Sequence, residues 1–176
     1  MFAVPSLQRP YTLCSSLDPA LDLPEVPDLT GDAKPEDVAT RDALLKERRH
    51  ALKVAQDTGD WNAIVKSGEK PTMFHMRPIH GATLTWLLGE VNRKTLTDDE
   101  GYELAFRLAV KEIENFNGKK LEFVRDDGHV MADPKSLAPL YDIGRDAGQP
   151  QLGRVIVLEI GMLAYTRAVQ GVSPLS

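Results

Sequence analysis

Residues 97–118, TDDEGYELAFRLAVKEIENFNG, carry the clearest secondary-structure signal in the chain. Thr97 and Glu100 have the spacing of a capping box, in which each side chain accepts a hydrogen bond from a backbone N–H at the start of a helix. Asn117-Gly118 favours a left-handed stop at the other end. Between them one apolar stripe runs at helical spacing, and it predicts a core helix: Tyr102, Ala105, Phe106, Ala109, Ile113 and Phe116.

Shorter patterns on both sides of this segment predict further helices and a few strands. They favour helices from Pro35 to Gly59, over Leu84–Val91, after Asp133-Pro134 and after Gln149-Pro150, and a single turn over Trp61–Val65. They also favour a strand at 72–78 that ends at Pro78, and a hairpin of 121–125 with 129–132 around Asp126-Asp127-Gly128. The expected fold is mainly α (α+β): a compact helical domain with a few short strands and a β-hairpin.

Composition divides the 176 residues into an arm at 1–33, a body at 34–170 and a short tail at 171–176. Residues 34–65 could form a separate helical lobe within the body. The formal net charge is −5, and the first 40 residues hold seven acidic and two basic side chains. Most of the excess negative charge therefore lies on the arm, which disfavours binding to nucleic acid or to an anionic membrane surface.

The arm is rich in proline and also in large apolar side chains. Six of the 12 prolines lie in the first 35 residues, and Gly31 is the only glycine before Gly59, so we expect stiff, extended chain that is neither helix nor regular strand. Such a chain predicts docking on another subunit, with packing on its own domain as the alternative. The predicted partner-binding residues are Phe2, Val4, Leu7, Tyr11, Leu13, Leu17, Leu21, Leu23, Val26 and Leu29.

Few residues are candidates for catalysis or metal binding. His75 and His80 flank Pro78 without further ligands at metal-binding spacing. The cluster of Asp126, Asp127, His129 and Asp133 lacks the ligand pattern of a calcium loop, and its Asp-Gly pair is explained by turn chemistry. The lone Cys14 has no partner for a disulfide. The sequence therefore predicts no catalytic residue, no cofactor and no metal site, and no signal peptide or bilayer-crossing segment.

Three body segments resemble small tailed-bacteriophage structural and assembly proteins. The segments are PTMFHMRPI at 71–79, AFRLAVKEIEN at 105–115 and VIVLEIG at 155–161, and the resemblance extends over residues 70–168. Their order is similar to the one in that group: a strand rich in Arg-Pro, a helix ending near Glu-Asn and a last apolar helix that contains Glu. The resemblance implies a non-enzymatic role in a virion made in the host cytoplasm.

Combined with the arm, the resemblance predicts an accessory or cementing (minor capsid) subunit that binds neighbouring capsid or connector subunits, or further copies of itself. The first alternative is a tail assembly chaperone, which binds tail subunits during assembly and leaves the finished particle. The second is an enzyme or metal protein that uses His75, His80 or His129. Head or tail location, the partner's identity and packing of the arm on its own chain or on a neighbour stay open at this point.

Overall fold

The computed structural model describes residues 9–29, 31, 33–93, 96–116 and 120–170. These residues fall into two compact units, one formed by 9–15 with 72–170 and the other by Ser16–Pro71. In chain order the elements are β1 (Tyr11–Cys14), α1 (Pro35–Thr58), a 3-10 helix (Trp61–Ile64), β2 (Met73–Met76), α2 (Gly81–Asn92), α3 (Asp98–Ala109), β3 (Val110–Glu114), β4 (Phe123–Asp126), β5 (His129–Ala132), α4 (Ala138–Tyr141) and α5 (Leu152–Gln170).

The described residues thus form an α+β fold, with five α-helices and two small antiparallel sheets. The first unit holds both sheets, and its three-stranded sheet has the order β1-β2-β3. The register places Leu13 opposite Phe74 and Phe74 opposite Ile113. Phe74 and Phe106 of α3 meet edge to face with centroids 5.9 Å apart, so the core of this unit lies between sheet and helices.

β1 corrects the expectation that the arm contains no regular strand. Residues Tyr11–Cys14 pair with β2 along their whole length. Pro10 and Pro19 are separated by a proline-free window, so every residue of β1 keeps its backbone donor. The Tyr-Thr-Leu-Cys sequence also contains residues that favour strands. Proline content averaged over the arm concealed this short window.

The capping box of α3 forms as predicted, but the helix is shorter than expected. The Thr97 hydroxyl accepts a hydrogen bond from the Glu100 N–H at 3.3 Å, and Glu100 Oε2 accepts from the Thr97 N–H at 2.7 Å. The helix ends at Ala109, and the chain continues as β3, whose Ile113 faces Phe74 in the sheet. Cross-strand pairing with β2 therefore overrides the helical periodicity beyond Ala109; Asn117-Gly118 lies outside the described residues.

The predicted hairpin is confirmed as β4 and β5. Asp126 pairs with His129, and the two residues between them, Asp127 and Gly128, have φ angles of 46° and 84°. Two consecutive left-handed residues are what a two-residue turn between twisted strands requires, which explains the Asp-Gly sequence.

The predicted strand at 72–78 and the predicted helix over Leu84–Val91 also form, as β2 and α2. The helix predicted after Asp133-Pro134 begins later, at Ala138, with a turn before it. Leu137 and Leu140 are buried in this region, and Tyr141 is partly buried.

α5 packs its core face against α3 and α4, with Ile156, Val157, Ile160 and Ala164 buried. Val155, on another side of the helix, is 45% exposed. One helix buries only one face when neighbours lie on one side. Among the described residues, no helix is long and apolar enough to cross a membrane.

The second unit, Ser16–Pro71, is built on α1 and the 3-10 helix. The 3-10 helix, Trp61–Ile64, ends one residue before the predicted turn over Trp61–Val65 does. α1 begins at Pro35 and ends where Gly59, at φ 73°, donates its N–H to Ala55 O at 2.8 Å, as the sequence predicts. Ala55 is the buried residue of this helix, whereas Val38 is exposed.

Candidate functional site

The ten predicted partner-binding residues separate into three groups. Phe2, Val4 and Leu7 lie outside the described residues. Tyr11 and Leu13 belong to β1 of the first unit, and the other five belong to the second unit: Leu17, Leu21, Leu23, Val26 and Leu29. The predicted arm at 1–33 is therefore shared between two units, and each part has its own surroundings.

β1 uses its side chains within the first unit. Leu13 is only 1% exposed and belongs to the same core as Phe74. The Arg167 guanidinium lies 4.3 Å from the centroid of the Tyr11 ring. Burial raises the pKa of the Tyr11 phenol to about 12, against the opposing effect of the Arg167 charge. Tyr11 and Leu13 therefore pack on their own domain, which was the alternative to docking on another subunit.

The backbone of the following segment, residues 16–29, is held in place by a basic side chain of α1. Arg48 donates to two of its carbonyl groups: Nη1 to Pro24 O at 3.3 Å, and Nη2 to Ser16 O. A segment rich in proline has few amide donors, so its free carbonyl oxygens are natural acceptors for arginine. No local pattern in the sequence assigns Arg48 to this segment.

A second set of contacts joins the same segment to the chain that follows the 3-10 helix. Leu21 forms an isolated antiparallel bridge with Val65, and the Lys66 N–H donates to Ala20 O at 2.9 Å. Lys66 Nζ donates to Pro19 O, also at 2.9 Å. Leu21 is buried as a result, so it contributes to the second unit's own core.

The remaining predicted partner-binding residues of the second unit are at least partly accessible to solvent. Leu17 is 39% exposed, and Leu23, Val26 and Leu29 are partly exposed. We call these four residues the docking patch. Acidic side chains alternate with it along the chain, and three of them are exposed: Asp22, Glu25 and Asp28.

The structure does not bring the three candidate histidines together. His75 lies on the three-stranded sheet, where Nε2 is hydrogen-bonded to Glu114 Oε2 at 2.9 Å and Nδ1 to the Thr12 hydroxyl at 3.2 Å. It therefore cross-links β1, β2 and β3. His80 and His129 lie elsewhere, at a cavity of about 300 Å³. Within the described ranges, no group of three or more His, Cys, Asp or Glu residues is placed to hold a metal ion.

Contacts within the fold account for Arg77 and His129 at this cavity. Arg77 donates from Nε to Leu108 O at 2.7 Å and from Nη2 to Val130 O at 2.6 Å, and burial lowers the pKa of its guanidinium. The His129 ring stacks on Trp86 with centroids 4.6 Å apart. These contacts tie β2, α3 and the hairpin together, which is a structural use of the side chains.

Asp127 and Asp133 of the predicted polar cluster also make contacts within the fold. Asp127 accepts from Trp86 Nε1 at 2.9 Å, and Asp133 Oδ1 accepts from the Lys135 N–H at 2.9 Å. The second contact is an Asx turn at the start of the segment that leads to α4. The Asp127-Gly128 turn is the one that the sequence indicates, and the Asx turn accounts for Asp133.

Sequence reasoning missed one buried polar contact at the end of β1. The Ser15 hydroxyl donates to Glu159 Oε2 of α5 at 2.5 Å, and Ser15 is buried. The two residues are 144 positions apart, so no local pattern connects them. Cys14 beside it is also buried, in keeping with a role as a small apolar side chain.

Comparison with known proteins returns no match to a family model, to a curated protein or to a solved structure.

Proposed function

We propose that the protein is a non-enzymatic structural subunit of a tailed-phage virion, an accessory or cementing protein that binds neighbouring capsid or connector subunits. The docking patch is its binding surface. One observation carries the proposal: residues 16–29 have their backbone fixed by Arg48 and Lys66, while Leu17, Leu23, Val26 and Leu29 keep accessible apolar surface. The tailed-phage assignment itself rests on the sequence resemblance.

A fixed backbone favours this use of the patch. Ordering a loose segment on a partner costs conformational entropy, whereas a segment already held in one conformation loses little on binding. Proline contributes in the same direction because it limits the conformations of the free chain. The patch therefore gains affinity from apolar contact without a large ordering cost.

The charges around the patch indicate the chemistry of the partner. Asp22, Glu25 and Asp28 are exposed beside it. A partner surface with shallow apolar pockets and a rim of Lys or Arg would complement them. Many copies of such a weak contact on a repeating shell would raise the total affinity through effective concentration.

The test replaces Leu17, Leu23 and Leu29 together by Glu and measures the copy number of the protein in purified virions by quantitative mass spectrometry. We expect the wild type to be retained and the triple variant to be lost, because buried charges oppose docking in apolar pockets. Val130→Glu is the matched control, since Val130 is exposed to the same degree, 40% against 39% for Leu17, on the other unit. Thermal unfolding must show that both variants fold.

The outcomes separate the alternatives. Retention of the triple variant at the wild-type level would disprove the docking patch. Absence of the wild type from virions, together with binding to unassembled tail subunits, would replace the virion role by that of a tail assembly chaperone.

A further inference from the structure

The cavity of about 300 Å³ lies where the end of β2, the start of α2 and the β4–β5 hairpin meet. Its polar lining includes Arg77, His80, Thr83 and His129. Among the described residues that line it, none is acidic. The cavity therefore brings cationic and hydrogen-bonding groups together without a carboxylate to balance them. We call it the Arg77 cavity.

Arg77 has a donor nitrogen that the fold does not use. Nε and Nη2 donate to the backbone at Leu108 and Val130, whereas Nη1 forms no hydrogen bond within the described residues. None of the ion pairs in the described part of the chain includes Arg77. Since burial lowers the pKa of the Arg77 guanidinium, its charge is partly removed from water without a counter-charge. A bound anion would supply that counter-charge, and the two backbone contacts fix the direction of the group.

Two imidazole rings add further donors. His129 Nδ1 lies 3.1 Å from the Thr83 hydroxyl, and the ring stacks on Trp86, so the ring is held in one orientation. Its other nitrogen, Nε2, has no hydrogen bond among the described residues, and neither has the ring of the exposed His80. A ring nitrogen that carries a proton donates to an anion. His129 is thus oriented before a ligand arrives.

The start of α2 contributes to the same charge. No described side chain caps this helix, and its first turn has no acidic residue. The first N–H groups of a helix lack acceptors within the helix and carry a partial positive charge, which favours an anion. His80, the N-cap residue, and Thr83 both line the cavity, so the helix begins at the same space.

The acidic residue next to the lining does not occupy the cavity. Asp127 precedes Gly128, which is part of the lining. Its carboxylate accepts from Trp86 Nε1 at 2.9 Å, and Asp127 itself is not among the lining residues. The donors of Arg77, His80 and His129 therefore remain available to an anion from solution.

We propose that the Arg77 cavity binds the phosphate group of a small phosphorylated molecule. A phosphomonoester has three terminal oxygens, which can accept from Arg77, from the two histidines and from the start of α2. Ile79 and Leu108 also line the cavity and favour an apolar group beside the phosphate. A volume of about 300 Å³ is at the lower end for small-molecule sites, so the ligand is small. The inference does not depend on the virion role, because it uses neither the docking patch nor its partner.

The first test titrates phenyl phosphate into the full chain by isothermal titration calorimetry, in a phosphate-free buffer with about 50 mM salt. We expect one site per chain with a dissociation constant of about 1 mM or below, because a few charge-assisted hydrogen bonds suffice for that affinity. Phenol, which lacks the phosphate, should not bind measurably. Absence of binding up to about 10 mM phenyl phosphate, or equal binding of phenol, overturns the proposal.

The second test introduces a carboxylate at the cavity. His80→Glu should raise the dissociation constant for phenyl phosphate at least about 30-fold, since like charges at close range repel. The variant should fold, because His80 is exposed and its ring forms no hydrogen bond within the described ranges. His50→Glu on α1 is the matched control, since His50 is also exposed and the same substitution changes the net charge equally. Equal affinities of the two variants would overturn the proposal.

Amide NMR spectra locate the site without any variant. Phenyl phosphate should shift the signals of residues 81–83 and of His129 in the ¹⁵N-labelled chain, and shifts confined to other regions would contradict the proposal. A single-stranded DNA oligonucleotide without terminal phosphates tests whether the phosphate belongs to a polymer. We expect it to bind more weakly than phenyl phosphate. Tighter binding that His80→Glu weakens would assign the cavity to nucleic acid and overturn the proposal of a small ligand.

Discussion

Gly161 shows how the absence of one side chain decides the packing of the core. A Cβ atom at this position would lie 2.1 Å from Tyr102 O and 3.3 Å from the Phe106 Cβ atom. The backbones of α5 and α3 therefore touch directly at this point. Gly153 has the same role against Leu140 O, also at 2.1 Å. The sequence shows both glycines inside a helical pattern, where they lower helix propensity, but it cannot show which backbone approaches them.

Gly161→Ala is therefore expected to destabilise the protein by about 2–3 kcal/mol, because the added methyl group overlaps a backbone oxygen that cannot move alone. Gly89→Ala in α2 is the matched control, since a Cβ atom there would meet nothing within 4 Å in the described part of the chain beyond the backbone of its own helix. It should stabilise by about 0.5–1 kcal/mol through the entropy of the unfolded chain. Urea denaturation measures both, and equal effects would contradict direct contact of the two helices.

At the scale of elements, the sequence predicts where structure begins better than where it changes type. The start of α3 is encoded locally by Thr97 and Glu100, and the hairpin turn by Asp127 and Gly128. The change from α3 to β3 is not encoded locally, because Ile113 fits the helical stripe as well as it fits the strand. Pairing with Phe74, far away in the chain, selects the strand. β1 also pairs with a distant segment, β2, and the high proline content of the arm as a whole conceals its short proline-free window.

Packing of β1 affects how the free energy of unfolding depends on pH. Burial raises the pKa of Tyr11 to about 12, above the value near 10 for an exposed phenol. Between these two values the unfolded chain has lost a proton that the folded chain keeps, so the free energy of unfolding falls as the pH rises through this window. At about pH 9, below both values, the contribution is fully present.

Tyr11→Phe should therefore reduce the slope of the free energy of unfolding against pH between about pH 10 and about pH 12. Part of the slope should remain, because burial and the hydrogen bond to Glu103 raise the pKa of Tyr141 as well. Urea denaturation at a series of pH values provides the measurement. Identical slopes for variant and wild type would mean that β1 is not packed in the folded protein.

The whole molecule shows why the candidate site was only partly predictable. The sequence changes composition near residue 33, whereas the chain leaves the first unit after Ser15 and returns to it at Thr72. Cys14 and Met73 are paired residues of β1 and β2, so the two crossing points are neighbours in one sheet. The second unit is thus an insertion between adjacent antiparallel strands. Leu13 and Leu17 are both leucines of the predicted arm, but they lie on opposite sides of this boundary. Leu13 is buried in the first unit, whereas Leu17 is 39% exposed in the second.

An insertion of this kind should be removable. We expect that replacing residues 16–71 by Asn-Gly, the preferred two-residue turn, joins Ser15 to Thr72 as a β-hairpin and leaves the first unit folded. Its core, including Leu13 and Phe74, lies entirely in the retained residues. Thermal unfolding followed by circular dichroism should remain cooperative. A matched variant that begins at Thr72 lacks β1 and should be much less stable, since Leu13 leaves a cavity beside Phe74. An unfolded hairpin-linked variant would instead show that the first unit depends on the second.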